Sequence, residues 1–225
     1  MNTIILCGGK GTRLKPITHK IPKPMVQVKG KPILWYIINQ LKQYNINKLF
    51  VAIGYKAKYI RDYFDKHFID MNVSLINNGD VNIIERVKAV VAINPNEDLL
   101  ILYGDTISDV NLKNLLLFSE KNLKSSILTV WPLKTNFGVV ELDNQMNITG
   151  FKEKPRLDKF INIGYFILRK SMFKYLNNFD NYADFLTFCG SKGILKAYVH
   201  EGEHFTVNNV VELELAEKNI SKIKL

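Results

Sequence analysis

A glycine-rich segment near the N-terminus combines residue types that can bind an anion. Three glycines follow a short apolar run, and two basic residues come after them: Gly8, Gly9, Gly11, Arg13 and Lys23. Glycines let backbone N–H groups approach an anion, and several cations are needed to neutralise a triphosphate. The segment therefore predicts a phosphate-binding loop, with a glycine-rich surface turn as the structural alternative.

A carboxylate at the end of another apolar run is the second candidate. Asp105 follows Gly104 and the run at residues 98–103. Mg²⁺ prefers carboxylate oxygens and is typically held by few carboxylates together with phosphates. The position predicts a magnesium ligand, with helix capping as the alternative. The four histidines lack the spacing of a metal site. Binding a triphosphate together with magnesium needs no serine or cysteine nucleophile.

Basic charge is concentrated in the first third of the chain. The net charge is +10, and residues 1–66 carry 13 Lys and Arg against 2 Asp and Glu. Such a field could attract nucleic acid, but no nucleic-acid-binding motif or interleaved aromatic pattern accompanies it. We therefore expect the phosphates of a nucleoside triphosphate as the partner of this charge, and no nucleic acid.

Strands and helices that could position these residues alternate along the first half. Hydrophobic periodicity predicts strands at 2–7, 48–53, 72–76 and 98–103, and helices at 32–41, 57–68, 83–92 and 111–121. This βαβ order predicts a mostly parallel sheet with helices on both faces. Ligands bind beyond the carboxyl ends of such strands, where Gly8 and Asp105 both fall.

The second half is richer in strands. The patterns predict strands at 125–132, 137–142, 148–152, 160–168 and 194–199, and helices at 172–176, 183–188 and 210–220. We expect an α/β fold with a Rossmann-like, mixed, mostly parallel sheet and a small substrate-binding β addition. One domain would cover residues 1–225, with a nucleotide-binding part at 1–110 and a substrate-binding part at 111–225.

Export and membrane signals are missing from the pattern. The sequence has no run of eighteen apolar residues, and its first apolar run is too short for a signal peptide. We expect a cytoplasmic protein that does not bind membranes. Cys7 and Cys189 are then expected to be buried free thiols without a disulfide.

Several motifs resemble those of one enzyme family. The string Leu-Cys-Gly-Gly-Lys-Gly-Thr-Arg-Leu at 6–14, with Lys-Pro-Met at 23–25, resembles the signature of the nucleotide-diphospho-sugar pyrophosphorylases. Tyr-Gly-Asp at 103–105, Phe-Lys-Glu-Lys-Pro at 151–155 and Ile-Asn-Ile-Gly at 161–164 follow in the family's order. Within the family, Lys-Pro-Ile-Leu-Trp at 31–35 and Gly-Tyr-Lys at 54–56 are most similar to glucose-1-phosphate cytidylyltransferases.

The resemblance implies a glycosyltransferase-A-like fold and an activity. A Mg²⁺-dependent enzyme, expected to be a homo-oligomer, would join CTP and a sugar 1-phosphate into a nucleotide sugar for surface polysaccharide synthesis. Lys23 would stabilise the α-phosphate and Arg13 the departing pyrophosphate. The implied nucleotide-binding residues are Leu6, Gly8, Gly9, Gly11, Thr12, Arg13, Lys23, Asn78, Gly104 and Asp105. The implied substrate-binding residues are Glu153, Lys154 and Asn162.

One departure from the family pattern concerns the metal. Asn208 stands where relatives have a second metal-binding aspartate, so Asp105 and Asn208 are the predicted ligands. An amide oxygen brings no charge, and binding should be weaker unless a carboxylate of Asp109, Glu201 or Glu203 compensates. A non-catalytic nucleotide-binding paralogue is therefore an open alternative.

A second departure concerns the nucleobase. Residues 77–85 replace a glycine-rich segment that touches the base in relatives, and Ile83-Ile84 would narrow the pocket or belong to a repacked helix start. GTP, UTP and a non-sugar acceptor such as phosphocholine therefore stay open as substrates. Arg86 and Lys88 either follow the cytidylyltransferase pattern behind the base or form a solvated helix face.

Overall fold

Seven strands form the central sheet. The computed structural model describes residues 1–69 and 71–223, and the strand order in this sheet is β12-β8-β11-β6-β1-β4-β5. Its strands are β1 (Asn2–Leu6), β4 (Lys48–Ile53), β5 (Asn72–Asn77), β6 (Leu99–Tyr103), β8 (Ser126–Lys134), β11 (Arg156–Leu168) and β12 (Leu195–Val199). The remaining strands pair in three small ribbons: β2 (Gln27–Val28) with β3 (Lys31–Pro32), β7 (Thr106–Ser108) with β13 (His204–Thr206), and β9 (Val139–Leu142) with β10 (Ile148–Lys152).

Helices cover both faces of the sheet. They are α1 (Ile33–Gln43), α2 (Ala57–His67), α3 (Ile83–Ile93), α4 (Leu112–Glu120), α5 (Phe173–Leu176), α6 (Tyr182–Ser191) and α7 (Val210–Asn219). Buried side chains of α1, α2 and α4 share one hydrophobic core, and those of α3, α5 and α6 share a second core. The predicted helices on two faces are therefore confirmed.

The sheet is mixed and mostly parallel, as the sequence predicts. β1 lies parallel to β4 and β6, β4 parallel to β5, and β8 parallel to β12, whereas β11 runs antiparallel to β6 and β8. β1 and β6 are almost entirely buried, because helices cover both of their faces. Strands covered on both faces have continuous apolar sequences, which made β1 and β6 recognisable.

The parallel pairing of β1 and β6 places two loops side by side. Leu6 lies opposite Tyr103 in the register, and the Gly104 N–H donates to the Leu6 carbonyl at 3.0 Å. A Cβ on Gly104 would lie 2.6 Å from that carbonyl oxygen, so the close approach requires glycine. The loops that begin at Gly8 and Asp105 therefore meet at one edge of the sheet.

The β7–β13 ribbon was not predicted, and it connects the C-terminal region to this edge. β7 follows β6 after a turn, and Phe205 lies opposite Ile107 in an antiparallel pair. The Val207 N–H donates to the Asp105 carbonyl at 3.3 Å. These three-residue strands are too short to show a periodic pattern. The ribbon places Asn208 beside Asp105.

The structure agrees with the expectation for the two cysteines. Cys7 and Cys189 are both buried and free, as predicted. No helix within the described ranges is long and apolar enough to cross a membrane.

Candidate active site

A cleft of about 950 Å³ opens at the carboxyl edge of the central sheet. Its walls come from the loop after β1, the segment before α3, the loop after β6 and residues near β13. Most of the predicted site residues line it: Leu6, Gly8, Gly9, Gly11, Thr12, Arg13, Lys23, Gly104, Asp105, Asn162 and Asn208. Residues that are far apart in sequence thus form one site.

Three predicted residues do not line the cleft. Asn78 is exposed in the turn after β5. Glu153 and Lys154 are exposed between β10 and β11, and their charged groups lie 3.6 Å apart. Their roles in binding stay predictions.

The glycine loop after β1, predicted to bind phosphate, depends on a left-handed glycine. Gly11 has φ +61°, and a Cβ there would lie 2.9 Å from the Thr18 methyl group and 3.1 Å from the Lys23 Cβ. Other residues would be strained and crowded at this position. The Thr18 hydroxyl donates to the Gly11 carbonyl at 2.9 Å, which holds the glycine turn against the helical turn Ile17–His19.

Three polar side chains, those of Asp105, Asn208 and Arg13, lie around the amine of Lys23. Lys23 is 7% exposed, and its Nζ forms an ion pair with Asp105. The same Nζ donates to Asn208 Oδ1 at 2.9 Å, and Arg13 Nη2 donates to that oxygen at 2.9 Å. This charge cluster brings both predicted catalytic cations to the end of β6.

The start of α7 fixes the position of Asn208. The Asn208 N–H donates to Glu212 Oε2 at 2.8 Å. Asn209 caps the helix, since its Oδ1 accepts a hydrogen bond from the Glu212 N–H at 2.9 Å. The Asn208 side chain is therefore held against the cations of the cluster.

The oxygens in the charge cluster fit a hard cation. A carboxylate oxygen of Asp105 and the amide oxygen of Asn208 already accept from one ammonium group, and such oxygens are suitable Mg²⁺ ligands. Asp109, Glu201 and Glu203 do not line the cleft; Asp109 Oδ1 instead accepts from the Glu203 N–H at 2.8 Å. Across residues 1–69 and 71–223, no group of three or more His, Cys, Asp or Glu could hold a metal.

The segment before α3 forms the opposite wall. Asn82 caps this helix by accepting from the Glu85 N–H at 3.1 Å. Ile83 begins the helix and lines the cleft, whereas Ile84 is fully buried in the core. The repacked helix start is thus the correct interpretation for Ile84, while Ile83 contributes to the wall of the cleft.

Sequence reasoning missed a wall formed by residues 180–182. Asp180, Asn181 and Tyr182 line the cleft, and the Asp180 carbonyl accepts from Asn82 Nδ2 at 2.8 Å. These residues match no motif, and their partner lies 98 positions earlier in the chain. Only long-range packing could reveal them.

The interpretation that Arg86 lies on a solvated helix face is wrong. Arg86 is 3% exposed and donates to four backbone carbonyls beneath the cleft. Lys88 is also partly buried, and its Nζ bonds to Glu85 at 2.7 Å and to the Phe179 carbonyl at 3.0 Å. Both residues therefore organise α3 and its neighbours.

Asn162 is held in place on the wall of the cleft beside Tyr103. Its Nδ2 donates to the Tyr103 hydroxyl at 3.1 Å, and its Oδ1 accepts from the Gly164 N–H at 2.8 Å. Gly164 has φ +80°, and a Cβ there would lie 2.5 Å from the Tyr103 ring. The glycine allows the strand to approach Tyr103, which positions the amide of Asn162.

Two titratable groups of the cleft are held neutral. Burial, with a contribution from the nearby charge of Asp105, raises the pKa of the Cys7 thiol. Burial and the neighbouring His200 lower the pKa of His204 to about 4. Cys7 therefore adds no negative charge to the cleft at neutral pH, and His204 adds no positive charge.

Several known proteins are similar to this chain in sequence. The profile of a family described as "Nucleotidyl transferase" matches residues 2–210. The glucose-1-phosphate cytidylyltransferase of Salmonella typhimurium is 32% identical over 203 residues, covering 79% of each chain. The bifunctional protein GlmU of Methanococcus aeolicus is 36% identical over 179 residues, covering 78% of this chain and 42% of that protein.

A solved structure confirms the fold class. HddC from Yersinia pseudotuberculosis has a TM-score of 0.76 and 23% sequence identity, over 97% of this chain and 99% of that chain. At this identity the likeness bears on the fold alone.

The partly buried imidazole of His204 predicts a pH effect on stability. Its folded pKa of about 4 lies below its ordinary value of 6.5, so the unfolded chain takes up the extra proton first. The free energy of unfolding should therefore fall as the pH drops from about 6.5 towards 4. His204→Gln should weaken this decline in urea denaturation across that range.

The exposed His67 of α2 provides the matched control. His67→Gln should leave the decline as it is in the unmodified chain. An identical decline with and without His204 would contradict the assigned burial of its ring.

Proposed function

The chain belongs to the nucleotidyl transferase family, and on that premise we propose that it joins CTP and a sugar 1-phosphate, releasing pyrophosphate. The observation that carries the proposal is the charge cluster of Arg13, Lys23, Asp105 and Asn208. It lies beside a glycine loop at the edge where parallel α/β sheets bind ligands. In residues 1–69 and 71–223, the backbone N–H groups of Gly8, Gly9 and Lys10 have no protein acceptor, so they can receive phosphate oxygens.

The proposed reaction is an in-line displacement at the α-phosphorus. An oxygen of the sugar phosphate forms a new bond to this phosphorus, and the bond to the oxygen bridging the α- and β-phosphates breaks. Pyrophosphate leaves with the electron pair of that bond. The attacking phosphate is already an anion, so no side chain has to remove a proton. The neutral states of Cys7 and His204 agree with this chemistry.

Lys23 and Arg13 have different tasks in this proposal. Lys23 is the more buried cation, so its charge acts in a medium of low polarity on the oxygens of the α-phosphate. Arg13 is exposed at the mouth of the cleft, and its planar guanidinium group suits the departing pyrophosphate. Their shared acceptor, Asn208 Oδ1, keeps the two cations together before the nucleotide binds.

Magnesium is part of the proposal. Asp105 and Asn208 would hold the ion together with phosphate oxygens. When bound, it would supply positive charge that offsets the charge of the triphosphate. Lys23, which is paired with Asp105 in the structure, would contact the α-phosphate in this proposal.

The choice of CTP is supported by the relatives and by the wall of the cleft. The Salmonella relative is named as a glucose-1-phosphate cytidylyltransferase. Ile83 places a branched side chain on the wall of the cleft, which favours a small pyrimidine over a purine. On the other side, Asn162 presents an amide to the acceptor, and an amide can bond to sugar hydroxyls.

A non-catalytic nucleotide-binding protein is the second candidate. Asn208 favours it, because the site lacks the second carboxylate expected of the family. The retained cluster of Arg13, Lys23 and Asp105 favours catalysis. Both candidates would bind the nucleotide, and only the enzyme would release pyrophosphate.

The decisive experiment measures pyrophosphate release. CTP, UTP, GTP, dTTP and ATP are each paired with a panel of sugar 1-phosphates and with phosphocholine, while the magnesium concentration is varied. Release from CTP with one sugar 1-phosphate is the expected result. Release with another pair would replace the proposed substrates, and tight nucleotide binding without release at any magnesium concentration would favour the non-catalytic candidate.

The product defines the cellular role that we propose. A nucleotide sugar is a donor for glycosyl transfer, and we propose that it serves surface polysaccharide synthesis. Deleting the gene should deplete that nucleotide sugar in cell extracts and shorten or remove the polysaccharide. Unchanged polysaccharide would overturn this role without affecting the assigned reaction.

Substituting Lys23→Met should lower kcat about 100- to 1000-fold, as loss of one charge-stabilising donor does in other enzymes. The folded structure should survive, because Lys23 belongs to the polar cluster and not to a hydrophobic core. The control is Lys31→Met, which removes an exposed lysine whose Nζ lies 5.5 Å from the Trp35 ring. Turnover of the Lys23 variant close to that of the control would refute the role of Lys23.

Substituting Asn208→Asp should lower the magnesium concentration for half-maximal activity by about tenfold or more, a size typical of changes around a bound metal. The new carboxylate can still accept from Arg13 and Lys23 while it adds a charged ligand. Asn209→Asp is a matched control, because it adds the same charge one residue away and still caps α7. An equal magnesium requirement in both variants would exclude Asn208 from the metal site.

A further inference from the structure

Arg86 connects three backbone segments beneath the cleft. Its Nη1 donates to the Ile53 carbonyl at 2.8 Å, at the end of β4. Its Nη2 donates to the carbonyls of Gly8 at 3.1 Å, Gly79 at 2.9 Å and Val81 at 3.0 Å. The phosphate loop and the segment at 79–81 are therefore held by the same nitrogen atom.

Two glycines make room for this guanidinium group. A Cβ on Gly8 would lie 2.0 Å from Arg86 Nη1, and a Cβ on Gly54 would lie 2.8 Å from Nη2. Both distances are well below van der Waals contact. The first glycine of the phosphate loop is thus required by Arg86, in addition to any close approach of phosphate.

Arg86 is a cation without an acidic partner in the described ranges. Burial lowers its pKa, and Asp80 opposes this effect. Carbonyl dipoles alone solvate the charge, which is an expensive arrangement if packing were its only purpose. The positive charge lies directly under the loop that would receive the triphosphate.

Three backbone carbonyls share Arg86 Nη2, so movement of one of them affects the bonds to the others. This nitrogen has two N–H groups and three carbonyl acceptors. A shift of segment 79–81 therefore changes how the two hydrogens are divided, including the bond to Gly8. The exposed ion pair between Lys10 and Asp80 joins the same two segments, but such surface pairs contribute little.

We propose that Arg86 is a positioning residue that couples recognition of the nucleobase to the orientation of the triphosphate. The segment at 79–81 lies on the cleft wall that faces the base, and Gly8 belongs to the loop that faces the phosphates. When a bound base orders the segment at 79–81, the hydrogen bond from Arg86 Nη2 to the Gly8 carbonyl becomes stronger. The inference rests on the proposed function only in taking a nucleoside triphosphate as the ligand.

The experiment measures this coupling with the two halves of the ligand. Inorganic pyrophosphate is titrated calorimetrically in the absence and the presence of saturating cytidine, with uridine and guanosine as further nucleosides. Coupling between sites is typically about 5- to 150-fold, and it is reciprocal. We expect a bound nucleoside to tighten pyrophosphate binding about tenfold in the unmodified chain.

Three variants test whether Arg86 carries the coupling. Arg86→Met should abolish it, and Arg86→Lys should reduce it, because one ammonium cannot reproduce the planar fork of the guanidinium group. The control Arg61→Met removes an exposed arginine of α2 and should keep the full coupling. If Arg86→Met does not fold, Arg86→Lys decides, with thermal unfolding as the check on its fold.

The outcomes separate this inference from the proposed function. Binding of both halves without coupling in the unmodified chain would overturn the inference, as would full coupling in a folded Arg86 variant. Binding of neither half by the unmodified chain would instead count against the nucleotide as ligand. Loss of coupling in the Arg86 variants, with unchanged coupling in Arg61→Met, supports the positioning role.

Discussion

The buried amine of Lys23 needs negative and polar partners, and this need organises the site. An isolated ammonium group is costly to bury, and the cost is offset only when hydrogen-bonding and charged partners surround it. Asp105 supplies the charge and Asn208 the amide oxygen. Asp105 lies in the turn after β6, and Asn208 lies between β13 and α7. The hydrogen bonds of one lysine therefore connect segments that are about a hundred residues apart in the sequence.

The parallel core makes this convergence possible. β1 and β6 are neighbours in register, and their loops therefore leave the sheet at the same height. Helices on both faces bury the strands, which gives the edge a rigid base. The polar groups stand on loops above that base, where they can contact a ligand while the scaffold keeps their positions.

Arg86 is a second organising cation, and it differs from Lys23 in its partners. Lys23 is paired with a carboxylate, and the proposed reaction has it exchange that partner for phosphate. Arg86 bonds to backbone carbonyls and is enclosed by them, which suits a residue that holds loops in place. The glycines at 8, 11 and 54 reflect these demands, because side chains at 8 and 54 would meet Arg86 and one at 11 would meet Thr18 and Lys23.

The sequence by itself determined the parts that depend on local pattern. Continuous apolar runs gave β1 and β6, and helical periodicity gave α1 to α4. The glycine string, Arg13, Lys23 and Asp105 were recognisable as candidate site residues, and they line one cleft. Tertiary structure alone decided the parts that depend on distant partners. The three-residue strands β7 and β13 form only as a pair, the residues at 180–182 reach the cleft through packing, and Arg86 becomes buried because carbonyls from three segments surround it. The reason is physical: periodicity records which face of an element is buried, whereas hydrogen bonds between distant segments leave no periodic trace in the sequence.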